Sequence, residues 1–432
     1  MAPAAPAPAG GPGPDAQPRP GRSVSSPSER CVGEPAKPPA EGPAGPGAAG
    51  VAAAGAASPG ASPGPAPERE AQRIRVDSAA GLLAVIPHLI GFRPDRSMVI
   101  LGIAPPRERI RLGFRYDLPD PPDAETAAHI AGHAVGVLAR QQLSMAVLAG
   151  FGPGQLVTPV IDALRAATAA AGIGLREVLR ADEGRYWSYL CHDPACCPVE
   201  GKPYDTLAHP AATALAAAGL AAYPDRDALA ATLAPVTGLA AESMRQATDR
   251  ALDRVSELIM ARQASGRAGD LLSSVVDAGL GAVQSAIAAY RGGGQLTSDD
   301  DLAFLSMALS DLRIRDDAWA RMDPEHSAAH QRLWTDLTRR ACPQYRPAPA
   351  SLLAFTAWQA GDGALAGLAA QCALDADPQY SMALMLADFL GRGLPPSLAR
   401  LPMTPEQVAE SYAQPGIRRR HSRRSPSRGR PR

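Results

Sequence analysis

Lysine is almost missing from this chain of 432 residues: Lys37 and Lys202 are the only two among 43 basic side chains. Aromatic residues make up 4% of it, cysteines number six, and no run of about 18 uncharged apolar residues occurs. Each shortage excludes something. Without such a run no membrane-spanning helix is expected, and the proline-interrupted N-terminus lacks the apolar core of a secretory signal. Six cysteines, with Cys31 in a low-complexity leader, are too few for a disulfide scaffold, which points to a reducing cytoplasm. The sequence also lacks Gly-x-Ser-x-Gly, His-Glu-x-x-His, Cys-x-x-Cys and any acidic loop with calcium spacing, so no complete catalytic motif names a reaction. The preference for arginine, with abundant Ala, Gly and Pro, suggests a GC-rich bacterial genome.

What is present divides the chain. Residues 1–72 are an Ala/Pro/Gly-rich leader without a periodic apolar face and are expected to be disordered, because they cannot bury enough surface to offset the entropy of ordering. Residues 399–432 form a second disordered tail, arginine-rich from 417, where eight arginines and no acid occur. Arg418, Arg419, Arg420, Arg423 and Arg424 make this tail a candidate electrostatic arm for weak, nonspecific nucleic-acid contact, against the simpler reading of a solvated extension.

Between the tails, residues 73–205 read as an α/β domain. "SAAGLLAVIPHLIGFRP" (78–94) predicts a short helix capped by Ser78 and broken by Pro87, with His88 as a satisfied core residue. "SMVILGI" (97–103) and "RIRLGFRYDL" (109–118) predict strands that could pair as an added hairpin, followed by a helix over 123–142. The run "SMAVLAGFG" (144–152), a helix over 157–171 and a strand over 174–179 complete an alternation of the kind that builds a mostly parallel sheet with flanking helices. From 206 to 345 the pattern is helical, including 239–264, 268–290, 298–312 and 324–341, with Ser298 and Asp301 at capping-box spacing. Residues 346–398 predict a helical hairpin whose Gly361, Ala366, Ala370, Ala373 and Pro378 have tetratricopeptide-like spacing. Such a hairpin suits a protein partner.

The segments "LLAVIPHLIGFRPDRSMVIL", "RYDLP", "GRYWSYLCHDPACCPVEGKPYD" and "LTSDDDLAFLSMALSDLRIRDDAW" together resemble an actinobacterial family known as domain of unknown function 4192. The resemblance runs from about residue 73 to 395, and its specific part is the RYWSYLC…CCP…G cluster. It implies a two-part cytoplasmic protein and carries no catalytic residues with it.

The chemistry-bearing stretch is "RYWSYLCHDPACCP" (185–198), within a cysteine-rich loop at 185–201. Cys191, His192, Cys196 and Cys197 have the donor types of a zinc site, with His209 as another fourth-ligand candidate, although adjacent cysteines tend to point apart. A redox pair is a second reading: Asp193 and Pro194 favour a turn returning Cys191 toward Cys196, and Arg185 could lower a thiol pKa, but no adjacent lysine is expected. A packed loop without chemistry is the third. At the ends of the predicted strands, Arg115, Asp117, Arg185 and Trp187 make a candidate pocket for an anionic ligand. Gly150, Gly152 and Gly154 in "GFGPG" allow close backbone approach before a helix, without dinucleotide or phosphate-loop spacing. His129 and His133, four apart on one helix, lack the glutamate of a metal motif and are set aside. The sequence thus predicts a binding or scaffold protein, an α/β ligand- or peptide-binding domain coupled to a helical interaction region. The alternative is an enzyme using a metal or thiol site in the 185–201 loop.

Overall fold

Ser78 accepts a hydrogen bond from the Gly81 N–H and so caps α1 (Ala79–Ile90). The computed structural model describes residues 76, 78–105, 109–218, 220, 222–265, 272–395 and 403–413. The leader at 1–72 and the arginine arm at Arg418, Arg419, Arg420, Arg423 and Arg424 lie outside the described residues. Pro87 does not end α1, which continues to Ile90 and turns at Gly91 in the left-handed region. Leu83 to Pro87 are all buried, more than one full turn, and this apolar packing offsets the N–H that Pro87 lacks.

The sheet follows from two runs that are apolar on both faces. β1 (Ser97–Ala104) and β2 (Arg109–Asp117) form an antiparallel hairpin, and α2 (Ala124–Arg140) leads to β3 (Met145–Phe151). Next come α3 (Gly154–Ala170), β4 (Gly174–Asp182), β5 (Arg185–Ser188) and the short β6 (Lys202–Pro203). The strand order is β2-β1-β3-β4-β5-β6, and only β3 and β4 pair in parallel. The expectation of a mostly parallel sheet is therefore corrected: the sheet is mixed and mostly antiparallel. Its cause is local. β1 is inserted between β2 and β3, so the β2–α2–β3 crossover joins two strands of like direction that do not touch. Helix and strand alternation fixes relative direction but not which strands are neighbours.

A second device stands just before the predicted loop. Glu183 and Gly184 both have positive φ, 46° and 74°, the combination of a two-residue type I′ turn, and they fold β5 antiparallel onto β4. Arg185–Ser188 is thus strand, and only the residues after it are loop.

Each face of the sheet is covered. Met98, Ile100, Leu148 and Val178 pack with α2 and α3, while Val99, Leu101, Val147, Ala149 and Leu179 join α1 and the helical half in a second cluster. Burial on both sides explains why β1 and β3 read as unbroken apolar runs rather than alternating ones.

After Pro203 the described chain is helical: α4 (Pro210–Ala217), α5 (Arg226–Ala231), α6 (Gly238–Ala264), α7 (Ser273–Arg291), α8 (Asp299–Ala308) and α9 (Leu312–Ala320). These are followed by α10 (Ser327–Arg340), α11 (Pro347–Gln359), α12 (Gly363–Ala376), α13 (Ser381–Gly391) and α14 (Pro405–Ala413). Ser298 caps α8 through the Asp301 N–H, as its spacing predicts. α11 is the axis: every residue from Pro347 to Trp358 is buried, and Ser351 and Thr356 satisfy their hydroxyls on the carbonyls of Pro347 and Leu352. Gly361, at φ 85°, turns the chain into α12, whose Ala366, Ala370 and Ala373 are buried and let helices approach closely. Among the described residues no helix is long and apolar enough to cross a membrane.

One buried histidine gives this half a pH response. His330 on α10 is 1% exposed, with Nε2 3.5 Å from both Arg291 and the Asp323 carboxylate. Burial first, and the Arg291 guanidinium second, hold its pKa below the ordinary 6.5. The folded state therefore binds fewer protons there than the unfolded chain, so the stability it contributes is present in full above about pH 6.5 and is lost as pH falls from there through the lower folded value. Thermal melts from pH 7.5 to 5.5 are expected to show a smaller loss in His330→Gln than in the wild type; equal slopes would contradict this.

Candidate functional site

The turn at Asp193 builds the site. The Cys196 and Cys197 N–H groups both donate to the Asp193 carbonyl, at 3.1 and 2.7 Å, and the Ala195 N–H donates to its carboxylate at 2.9 Å. Upstream, Ser188 at the end of β5 accepts from the Leu190 and Cys191 N–H groups. The chain is thereby folded back on itself, and the sulfurs of Cys191, Cys196 and Cys197 lie within 4.8 Å of one another. The adjacent pair does not point apart, contrary to the expectation for neighbouring cysteines, because the turn replaces extended backbone, in which successive side chains alternate. Cys191 and Cys197 are half-buried and Cys196 is exposed.

His192 is exposed and does not share this cluster. His209 caps α4, its Nδ1 accepting the Ala211 N–H at 3.2 Å. Among the described residues no fourth histidine, cysteine or carboxylate shares the cluster, so the protein supplies three donors there.

Lys202, paired on β6 with Tyr186 of β5, places its Nζ 3.7 Å from the Cys196 sulfur and donates to it. Lys202 lies six positions after Cys196, and the β5–β6 pairing brings them together. The scarcity of lysine was the available signal, since one of the two in the chain stands here. The ammonium is held above its ordinary pKa by Tyr186 first and Cys196 second.

The thiols divide their protons unevenly. The Asp193 backbone N–H and the neighbouring thiols hold Cys191 below the ordinary 9.0, while burial and then the other two sulfurs push Cys197 up to about 11. Cys191 and Cys197 titrate as an interacting pair, and Cys191 gives up its proton before Cys197.

A rigid wall supports the loop. Trp187 donates its indole N–H to the Val199 carbonyl at 2.9 Å, and Arg185 donates to the Glu200 and Gly201 carbonyls rather than to a thiol. The Arg180 guanidinium lies 3.5 Å from the Trp187 ring centroid and pairs with Asp182 at 3.3 Å. Gly201 has φ 78°, and a β-carbon there would stand 2.6 Å from Trp187 Cε2. Gly201→Ala is expected to strain the loop by about 1–3 kcal/mol and to raise thiol reactivity and shift the tryptophan emission. Unchanged thiol reactivity would contradict that support.

The predicted pocket is not assembled. Arg115 pairs with Asp117 at 2.6 Å, donates to Ser97 Oγ and stacks at 5.5 Å on Phe92, all around edge strand β2. Arg185 and Trp187 lie on β5. Asp117, Ser97, Phe151, Ala181, Tyr186 and Lys202 form one row across the sheet, so both groups share a rim, yet β2 and β5 stand about 19 Å apart at the usual strand spacing. Four residues so separated cannot close on one small ligand.

The GFGPG stretch precedes α3 as expected, with Gly152 at φ 124°. The Arg180 guanidinium, which the sequence reading missed, lies 3.6 Å from where a Gly154 β-carbon would be. His88 Nδ1 contacts the Leu220 carbonyl at 2.6 Å, and His133 contacts the Tyr116 hydroxyl at 2.6 Å, so neither is spare.

Fold and site together define a class: a mixed α/β sheet, backed by a helical region, that displays a surface cluster of three free thiols at one edge. The chain belongs to the family described as a domain of unknown function (DUF4192), whose model matches residues 80–397. No curated protein and no solved structure matches it.

Proposed function

We propose that the protein binds a thiophilic metal ion, zinc, through Cys191, Cys196 and Cys197. The observation carrying this reading is that all three sulfurs lie within 4.8 Å of one another. Around zinc, with Zn–S near 2.3 Å, tetrahedral sulfurs stand about 3.8 Å apart, so only a small contraction of the loop is required. Three thiolates leave one position for water or for a donor from a partner. Lys202 offsets the net negative charge of an ion held by three thiolates.

The role favoured is binding or scaffolding in a reducing cytoplasm, with the metal fixing the loop and the α11–α12–α13 hairpin, tetratricopeptide-like in its small-residue spacing, receiving a protein partner. Weak nucleic-acid contact by the arginine arm belongs to the same proposal, as does an actinobacterial source. An enzyme is the second reading, favoured by the open metal position beside Lys202, which is the coordination catalytic zinc uses.

Protein purified under reducing conditions without chelator is expected to carry one zinc per chain, and none in the triple Cys191→Ser, Cys196→Ser, Cys197→Ser variant. Metal-free wild type that takes up no added zinc would overturn the reading. Binding displaces thiol protons, so apparent affinity is expected to rise as pH rises toward the ordinary thiol value of 9.0. A pH-independent affinity would place the ion elsewhere.

A further inference from the structure

Resting on the metal reading above, we propose that the 191–197 loop is an oxidation-gated metal switch, in which hydrogen peroxide links Cys191 to Cys196 through a disulfide and the ion is released. Three placements carry it. Cys196 is exposed while its two partners are half-buried, so a small oxidant in solvent meets it first. The Lys202 ammonium lies 3.7 Å from its sulfur and is aimed at it. Cys191 stands within 4.8 Å across the Asp193 turn, in a segment without helix or strand, so drawing the sulfurs to about 2.05 Å costs no secondary structure. Cys197, adjacent to Cys196, is the poorer partner: a bond between neighbours closes a small ring that bends the intervening peptide.

The chemistry balances with the groups present and the peroxide. The Cys196 thiolate attacks one peroxide oxygen; an S–O bond forms, the O–O bond breaks, and the departing hydroxide takes a proton from Lys202, which solvent restores. The Cys191 thiolate then attacks the Cys196 sulfur; the S–S bond forms, the S–O bond breaks, and a second hydroxide leaves and is protonated to water. Two thiolates, one peroxide and two protons give one disulfide and two waters. Cys197 remains as a single thiolate donor, too few to hold the ion.

The test uses the full chain, reduced, freed of reductant and loaded with zinc, with bound metal measured before any oxidant is added. A limiting dose of hydrogen peroxide is then given while released zinc is followed with a chromogenic chelator and the cysteine peptides by mass spectrometry. The expected result is loss of the bound zinc in step with a Cys191–Cys196 linked peptide, both reversed by a dithiol reductant. Lys202→Met, brought to the same zinc occupancy as the wild type before oxidant is added, is expected to slow the linkage about tenfold or more, since a positioned acid is lost. Cys191→Ser is expected to stop at a Cys196 sulfenic acid that dimedone traps. Zinc bound at the start but retained after oxidation, or released with Cys196 over-oxidised and unlinked, overturns the switch while leaving the metal site standing. No zinc before oxidant overturns the metal reading and the switch with it.

Discussion

Trp334→Ala is expected to destabilise the protein by about 3–5 kcal/mol, the largest effect of any single substitution considered, and to lower the cooperativity of helical unfolding. Trp334 lies on α10 and is 0% exposed, among the largest fully buried side chains. It shares one apolar cluster with Leu333 and Leu337 of its own helix, Leu353 and Phe355 of α11, and Leu101 and Val147 of the sheet. Removing an indole there leaves a cavity that close-packed helices cannot collapse into. The indole N–H is also buried without an acceptor among the described residues, which already costs something. Trp334→Phe, which removes that donor and keeps much of the volume, should therefore cost far less than the alanine change. Chemical denaturation of the two variants checks this; a phenylalanine variant as unstable as the alanine one would show that the N–H has a partner and that cavity volume is not what decides.

The second large effect concerns the thiol cluster. Cys191→Ser is expected to weaken zinc binding about 100-fold or more while leaving the melting behaviour of the metal-free protein nearly unchanged. Cys191 lies in an irregular loop and is only half-buried, so little packing is lost. As one of three donors, however, it supplies a thiol held below its ordinary pKa. Cys342→Ser is the matched control: Cys342 lies within 3.3 Å of Thr248 in the helical half and is not part of the cluster. Competition titration with a zinc chelator separates the outcomes. Equal affinity in the wild type and Cys191→Ser would remove Cys191 from the site, and an equal loss in Cys342→Ser would mean that the metal binds elsewhere.

Much of the architecture was legible in residues. Ser78 and Ser298 were readable as caps because each is a short oxygen acceptor at the start of a helical pattern, and each accepts a first-turn N–H; Asp123, read only as the acidic start of a helix, caps in the same way. The loss of strands after about residue 205 and the helical turn at Gly361 were readable for similar local reasons. Sheet order was not readable, because it depends on β1 entering between β2 and β3, a long-range choice that leaves no mark on periodicity. β5 was hidden because its turn is Glu183–Gly184 rather than Asn-Gly, and because its four residues resemble the loop that follows.

The site divides in the same way. The Asp193–Pro194 turn foretold the return of Cys191 toward Cys196, since a local hydrogen-bonding side chain is a local signal. Lys202 was missed because it reaches Cys196 through strand pairing. Arg115, Asp117, Arg185 and Trp187 were grouped by the rim they share, and four strand steps of the mixed order separate them. Arg180, stacked on Trp187, sat in an alternating strand pattern that gave no reason to single it out.

The central claim is that Cys191, Cys196 and Cys197 share one ion, and X-ray absorption at the zinc edge of the reduced, zinc-loaded chain tests it most directly. Three sulfur scatterers at about 2.3 Å, reduced in number in Cys197→Ser, are the predicted result. A first shell of nitrogen and oxygen alone, unchanged by that substitution, would contradict it.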